Sequence, residues 1–330
     1  MWPGEGRSPS ALGRAQGRRP QRAGTQRSRG WGPDGFAGGA GGAAPREILT
    51  AALRNVAAVV VLLAAAALAL LWLAQRRLLY FPARATPEAA ERRARAMGLL
   101  PWRAGGALLG WRQARPPEGA AAVLLVLHGN AGSALDRGYV LEAFAAAGPP
   151  LEVRLVEYPG YGPCPGAPGE RALVDTALRA VQAARAEGAR RVLLLGESLG
   201  GAVAVLAAAQ APGAVDGLVL VAPLASVPAV ARRHYGPVPG WFFRDRLRAD
   251  LAIARVGAPV AVLEPGADEV VFPDLIQALY EAAPGPKRLW VEPGATHNGL
   301  DWRPGQGRWR EMIQQALGEP GLLPLPQPGP

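Results

Sequence analysis

Few residues in the chain have side chains suited to covalent or proton-transfer chemistry. Three histidines, His128, His234 and His297, and one cysteine, Cys164, are spread over 330 residues. One serine stands out by its setting: Ser198 lies in Gly196-Glu197-Ser198-Leu199-Gly200, preceded by the apolar run Val192 to Leu195 and followed by Gly201-Ala202-Val203-Ala204. The run before it is too short for a helix, whereas the small residues after it have strong helix propensity. The order is therefore strand, sharp turn, helix, the context in which G-x-S-x-G marks a nucleophile. Such a turn strains the serine backbone to keep Oγ clear of the sheet, and a side chain at Gly196 or Gly200 would collide where the helix folds back on the strand. Gly201, Ala202 and Ala204 keep the helix surface small. The free N–H groups of its first turn point at the serine, where they can stabilise an oxyanion.

A serine nucleophile needs a base. His297 lies in Gly294-Ala295-Thr296-His297-Asn298, straight after the last expected strand, in the chain order Ser, acid, His. His128 sits in a glycine turn that ends its own strand, and His234 in a proline-rich connection. The carboxylate that fixes the imidazole tautomer is read as Asp268, in the loop one strand before His297, where Gly266 permits a tight turn. Glu264 and Glu269 are the neighbouring competitors. Oxyanion donors are expected from the N–H of Asn130, in His128-Gly129-Asn130-Ala131-Gly132, and the N–H of Leu199. Cys164 has no histidine placed for it, and a lone cysteine excludes an internal disulfide and a thiolate metal site. With no metal-ligand cluster, P-loop or G-x-G-x-x-G after a strand, no metal and no cofactor are expected.

The elements that must position these groups alternate. Strands are expected around Leu108 to Arg112, Ala122 to Leu127, Leu151 to Glu157, Val192 to Leu195, Leu218 to Val221, Pro259 to Leu263 and Arg288 to Val291. Helices are expected at Leu135 to Ala147, Glu170 to Glu187, after Ser198, at Pro273 to Ala282 and near Gly307 to Leu317. That alternation implies an α/β fold with a mostly parallel central sheet and helices on both faces. The stretch from Ala222 to Val256 is too short for a large lid domain, which implies an open pocket. Tyr235 and Trp241-Phe242-Phe243 within it suit either an acyl site, a lipid contact or plain packing. Tyr161 and Cys164 are expected to flank the entrance.

Residues 1–45 are rich in Gly, Arg, Pro, Ser and Ala and carry too little apolar surface to offset chain ordering, so this segment is expected to be disordered. From Val56 to Ala74 the chain has no charge; at about 1.5 Å per residue it spans close to the roughly 30 Å hydrocarbon core of a bilayer. A single transmembrane anchor within residues 48–74 is expected, with Gln75-Arg76-Arg77 after it and Trp72 and Tyr80 as interfacial aromatics. Its orientation stays open. Arg76, Arg77, Arg84, Arg92 and Arg93 follow the span and favour a cytoplasmic catalytic side, but the basic tail would then have to cross. Residues 75–105 read as a juxtamembrane linker with one short helix, begun by Thr86-Pro87-Glu88 and ended at Gly98. Residues 106–317 read as the catalytic domain and 318–330 as a proline-rich tail. The formal charge of +10 sits largely at the N-terminus, and Lys287 is the only lysine. No zinc-finger, helix-turn-helix or RNP-like pattern accompanies it, so nucleic acid is not expected as a partner.

The set Gly-Glu-Ser-Leu-Gly at Ser198, His-Gly-Asn-Ala-Gly at His128, Glu157-Tyr158-Pro159-Gly160-Tyr161-Gly162, Gly266-Ala267-Asp268 and His297-Asn298 resembles the α/β-hydrolase superfamily. Leu78-Leu79-Tyr80-Phe81-Pro82 just after the anchor is similar to the membrane-anchored α/β-hydrolase-domain proteins, a group that includes protein depalmitoylases and lipid hydrolases. The resemblance covers about Leu78 to Leu317. It departs at Gly162-Pro163-Cys164-Pro165-Gly166, where relatives often carry Gly-x-Ser-x-Gly at the pocket rim. The resulting expectation is a membrane-tethered serine hydrolase with a small-molecule or lipid acyl substrate, cleaving an ester or thioester through an acyl-enzyme. An acyltransferase or peptidase on the same triad, or an inactive scaffold, are the rival readings. Deleting residues 1–75 is expected to free the domain from membranes with activity intact.

Overall fold

The computed structural model describes residues 45–319, apart from residue 121 and residues 146–149; the expected disordered tail and nearly all of the proline-rich tail lie outside the described residues. Two units are distinguished, residues 1–59 and residues 60–330. The described part of the first unit is the opening of one long helix, α1 (Pro45–Leu79), which is long and apolar enough to cross a membrane by length and composition.

The elements after α1 follow in the order β1 (Phe81–Pro82), α2 (Pro87–Ala96), β2 (Leu99–Ala104), β3 (Ala107–Gln113), β4 (Ala122–Leu127), β5 (Ala131–Gly132), α3 (Gly138–Ala145) and β6 (Leu151–Val156). The chain continues through α4 (Glu170–Ala186), β7 (Val192–Glu197), α5 (Leu199–Gln210), β8 (Gly217–Val221), α6 (Val227–Tyr235) and α7 (Ala249–Ala252). It closes with β9 (Val260–Pro265), α8 (Pro273–Glu281), β10 (Lys287–Glu292) and α9 (Gly307–Ala316). Eight strands form one sheet in the order β10-β9-β8-β7-β4-β6-β3-β2. The run from β10 to β6 is parallel, while β3 and β2 pair antiparallel at one edge. Strands β4 and β8 are buried along their whole length, and β7 until its final residue, as expected where helices cover both faces. Two apolar layers result. One packs α4 and α5 on the sheet through residues such as Leu194, Val203 and Val181; the other packs α3 and α9 through Leu195, Phe144 and Trp309.

Two expectations change here. The segment 75–105 is no linker: β2 is an edge strand of the main sheet, and β1 pairs with β5, so that Phe81 and Pro82 face Ala131 and Gly132 in register. A catalytic-domain boundary at 106 would cut the β2–β3 hairpin. Tyr80, expected at a membrane interface, is 3% exposed and belongs to the core of the sheet domain. Its ring was legible as amphipathic, but burial against non-local partners decides where such a ring goes. The helix start at Thr86 forms as expected: its side chain caps α2 by accepting the Ala89 N–H at 3.3 Å, with Pro87 at the first helical position.

Candidate active site

Ser198 occupies the turn between β7 and α5 with φ 53° and ψ −116°, a conformation that costs about 1–3 kcal/mol and persists only where surroundings enforce it. Three backbone hydrogen bonds do so. The Ser198 N–H donates to the Val221 carbonyl at 2.9 Å, and its carbonyl accepts from Gly201 at 2.9 Å and Leu224 at 3.0 Å. A Cβ on Gly196 would run into the Gly200 carbonyl and Gly201 Cα, and one on Gly200 into the Leu127 carbonyl. The two glycines are thus required by close approach of the helix to β7 and β4, as the motif implies.

The structure brings the expected groups together at the C-terminal edge of the parallel strands, where loops of an open α/β sheet collect their ligands. His297, after β10, sets Nε2 3.0 Å from Ser198 Oγ and Nδ1 2.8 Å from Asp268 Oδ2. Asp268, after β9, is buried, and its Oδ1 accepts the N–H groups of Val270 at 2.9 Å and Val271 at 2.8 Å. Burial alone would raise its pKa. The hydrogen bond with His297 and the two backbone donors outweigh that and hold the carboxyl below its ordinary value. Of the competitors, Glu269 accepts the His297 backbone N–H at 3.1 Å, and Glu264 accepts from Gln277 at 3.0 Å. Burial and the Asp268 charge raise the pKa of Glu264, the opposite of what a partner for imidazolium requires.

The loop after β4 lies against Ser198: a Cβ built on Gly129 would sit 3.6 Å from Ser198 Cβ. Asn130 is clamped by its other atoms. Its carbonyl accepts from Phe81 N–H at 2.9 Å and from the Tyr161 hydroxyl at 2.7 Å, and its side-chain amide donates to the Leu79 carbonyl at 3.2 Å. Among the described residues, no backbone or side-chain acceptor takes the N–H of Asn130 or of Leu199, which leaves both donors available. His128 is buried beside them, with Nδ1 2.8 Å from the Gly129 carbonyl and its ring against Tyr158 and Tyr161. His234 packs near Phe272 with Nε2 3.0 Å from the Val270 carbonyl. Neither histidine approaches Ser198 through a hydrogen bond.

Two cavities are lined by residues that belong to this cluster, adjoin it in the chain or are hydrogen-bonded to it. One of about 720 Å³ is mainly apolar and includes Leu224, Tyr235, Phe242 and Phe243. The other, about 280 Å³, is of mixed character and includes Arg137, Tyr139, Glu197, His297 and Asn298 beside Val221, Leu300 and Trp302. Glu197 accepts from the Tyr139 hydroxyl at 2.6 Å and Arg137 Nε at 3.1 Å. Two expected rim residues lie elsewhere. Tyr161 is buried beneath the Asn130 loop, and Cys164 lines a separate cavity of about 410 Å³ with Leu108 and Trp111. Burial pushes the Cys164 thiol up to about 12, which makes it a poor thiolate. The clamp by Leu79, Phe81 and Tyr161 was missed by spacing arguments; the only sequence signal for it was the Leu78 to Pro82 motif.

A strained serine between a buried strand and a helix, on a parallel sheet whose next loops carry an acid and a histidine, defines an α/β hydrolase. Comparison with known proteins agrees. A family model described as "Serine aminopeptidase, S33" matches residues 118–247. An uncharacterized protein of Mycobacterium tuberculosis is 36% identical over 235 residues, covering 69% of this chain and 82% of its own. Alpha/beta hydrolase domain-containing protein 17C of Xenopus laevis is 28% identical over 230 residues, covering 68% and 71%. Among solved structures, Est1E from Butyrivibrio proteoclasticus superposes with a TM-score of 0.51 at 17% identity, covering 67% of this chain and 99% of that one, and so shares the fold. The chain belongs to the α/β-hydrolase superfamily.

Proposed function

We propose that this protein is a membrane-tethered serine hydrolase of carboxylic esters or thioesters, with Ser198 as nucleophile, His297 as base and Asp268 as its orienting acid. The observation that carries the reading is the unbroken hydrogen-bond line from Asp268 Oδ2 through His297 to Ser198 Oγ, at 2.8 and 3.0 Å. In this reading His297 Nε2 takes the hydroxyl proton as Oγ attacks the acyl carbon. The tetrahedral oxyanion is met by the Asn130 and Leu199 N–H groups, already oriented before charge develops. Collapse breaks the bond to the leaving alcohol or thiol, which departs with the proton held on His297. Water, deprotonated by the same imidazole, then attacks the acyl-enzyme and releases the acid. The span Val56 to Ala74 of α1 serves as the tether.

A peptidase reading is favoured by the description of the matching family model. An aminopeptidase must hold a substrate ammonium, and the carboxylates lining the two cavities are already engaged: Glu197 by Arg137, and Asp245 by Arg76. That supports ester over peptide cleavage.

The test is covalent labelling with a fluorophosphonate together with turnover of short-chain esters and aminoacyl amides. Wild type is expected to label at Ser198 and cleave the esters. Ser198→Ala is expected to lose labelling, and Ser198→Ala and His297→Ala each to lower kcat by at least ~10⁴-fold with circular dichroism unchanged. Retained turnover in either variant refutes the assignment, and faster cleavage of aminoacyl amides than of esters selects the peptidase.

A further inference from the structure

The apolar cavity lined by Leu224 and Val270 has a wall that no tether requires. One side comes from α6 through Val227, Val230 and Tyr235, and another from Phe242 and Phe243. The remaining side is the end of α1 itself, through Leu71, Leu78 and Leu79. This end is bolted in place. Gln75 Nε2 donates to the Phe242 carbonyl at 2.9 Å while its Oε1 accepts the Arg244 N–H at 2.9 Å. Arg76 makes a two-pronged pair with the buried Asp245 at 2.8 and 3.0 Å, and the Arg244 guanidinium lies 4.6 Å from the centre of the Trp72 ring. A bidentate pair on a buried carboxylate fixes orientation as well as distance.

Three lining residues of the same cavity are hydrogen-bonded to the proposed machinery. Leu224 donates its N–H to the Ser198 carbonyl, Leu79 accepts the Asn130 side-chain amide, and Val270 donates to Asp268. Its mouth is apolar: Leu71 and Leu78 are exposed, as are Tyr235 at 82% and Trp241 at 75% just beyond. At about 1.5 Å per residue, Val56 to Ala74 fills the roughly 30 Å core of a bilayer, so the residues that follow emerge at the level of the head groups. The mouth therefore opens where lipid acyl chains meet the polar surface.

Resting on the serine-hydrolase reading above, we propose that the end of the anchor helix is a wall of the acyl pocket and that its occupant is the long chain of a monoacyl membrane lipid. The chain passes from the bilayer into the cavity without crossing water, so its burial is not spent on first leaving lipid for solvent. Asp245, the carboxylate that lines the cavity, is paired with Arg76 and presents no free charge to the chain. The lipid's ester carbon stands at Ser198, and the cavity of about 280 Å³ on the His297 side accommodates a small hydroxylated head. Attack forms the Oγ–acyl bond and breaks the ester C–O bond; the head-group alcohol leaves with the proton from His297, and water completes the hydrolysis.

The experiment uses the full chain in phosphatidylcholine vesicles with monoacylglycerols from butyryl to palmitoyl, and fluorophosphonate labelling alongside. Substrate is dosed by its mole fraction in the bilayer, so that partition from water does not enter; transfer of a chain from lipid to an apolar pocket is near neutral, and wild type is expected to turn over the palmitoyl ester with a kcat/KM at least equal to that of the butyryl ester. Leu71→Trp and Val230→Trp fill the cavity from opposite walls, and each is expected to lower the palmitoyl-to-butyryl ratio of kcat/KM at least tenfold. A palmitoyl kcat/KM at least tenfold below the butyryl value in a protein that labels at Ser198 overturns the pocket while the serine reading stands. So does an unchanged ratio in both tryptophan variants once thermal unfolding shows them folded. Absence of both labelling and butyryl ester turnover overturns the serine reading and the pocket with it. Faster turnover of an S-palmitoylated peptide than of monopalmitoylglycerol overturns the lipid as the carrier of the chain.

Discussion

Asp268 carries more than one duty, and its two oxygens divide them. Oδ1 takes the Val270 and Val271 N–H groups and pins the loop, leaving Oδ2 to face the His297 ring. Asp268→Asn keeps the shape but can present an N–H to Nδ1, which favours the wrong imidazole tautomer; a kcat loss of about 10⁴-fold in ester turnover is expected. The same substitution has a pH signature in stability. Because the folded-state pKa lies below the ordinary 3.8, the stabilisation from the ionised carboxylate is fully present above that unfolded value. It is lost as pH falls through the lowered folded value. Urea midpoints of wild type and Asp268→Asn should therefore differ at neutral pH and converge upon acidification below that range. A gap that stays constant across the range refutes the linkage. Tyr161 acts at one remove, donating to the Asn130 carbonyl at 2.7 Å. Tyr161→Phe is expected to lower kcat by about tenfold with KM little changed, as fits a group that steadies an oxyanion donor.

The elements that matter most are the β7–α5 turn and the strip from Leu79 to Ala85. The turn is possible only because helix and strands approach without side chains between them. Gly200→Ala places a methyl group on the Leu127 carbonyl, and a loss of at least ~2 kcal/mol in unfolding free energy is expected, read by denaturant titration. The strip laces together two loops at the carboxyl edge of the sheet: Phe81 and Ala83 donate to Asn130 and Gly132, Ala85 donates to Gly162, and Gly162 donates to Ala83. Backbone hydrogen bonds of this kind depend on what the chain meets in space, so a segment reading locally as a linker becomes part of the site. Among the described residues, Arg76→Ala leaves the buried Asp245 with only the Glu170 N–H at 3.2 Å. Since the arginine itself is partly exposed, a loss of about 1–2 kcal/mol is expected by the same titration.

At the scale of the whole molecule, the end of the apolar helix α1 is also part of the sheet domain's packing. Removing residues 1–75 was expected to free an intact enzyme from membranes, but the deletion also takes away Leu71, the Trp72 ring under Arg244 and both hydrogen bonds of Gln75. Release from membranes is still expected, now with a Tm several degrees lower and with long-chain turnover reduced more than short-chain turnover. Sedimentation with vesicles, a thermal scan and paired kcat/KM values read the three effects. A truncated protein with the full chain's Tm would show that these contacts contribute nothing.

The sequence by itself determined the sheet's alternating elements and the apolar span, and it singled out Ser198, His297 and Asp268 as candidates, which the structure places within hydrogen-bond distance of one another. Each of those follows from local pattern: a run of apolar residues with one period, a glycine pair around a serine, a histidine or an acid just past a strand. Only the tertiary structure decided that Glu264 and Glu269 take partners other than the imidazole's Nδ1, that Tyr80 is core and that Cys164 belongs to another cavity. It also decided that the end of α1 shares an apolar cavity with Leu224 and Val270. These are facts of burial and of contacts between residues far apart in the chain, such as the 169 positions separating Arg76 from Asp245, and no local periodicity encodes them.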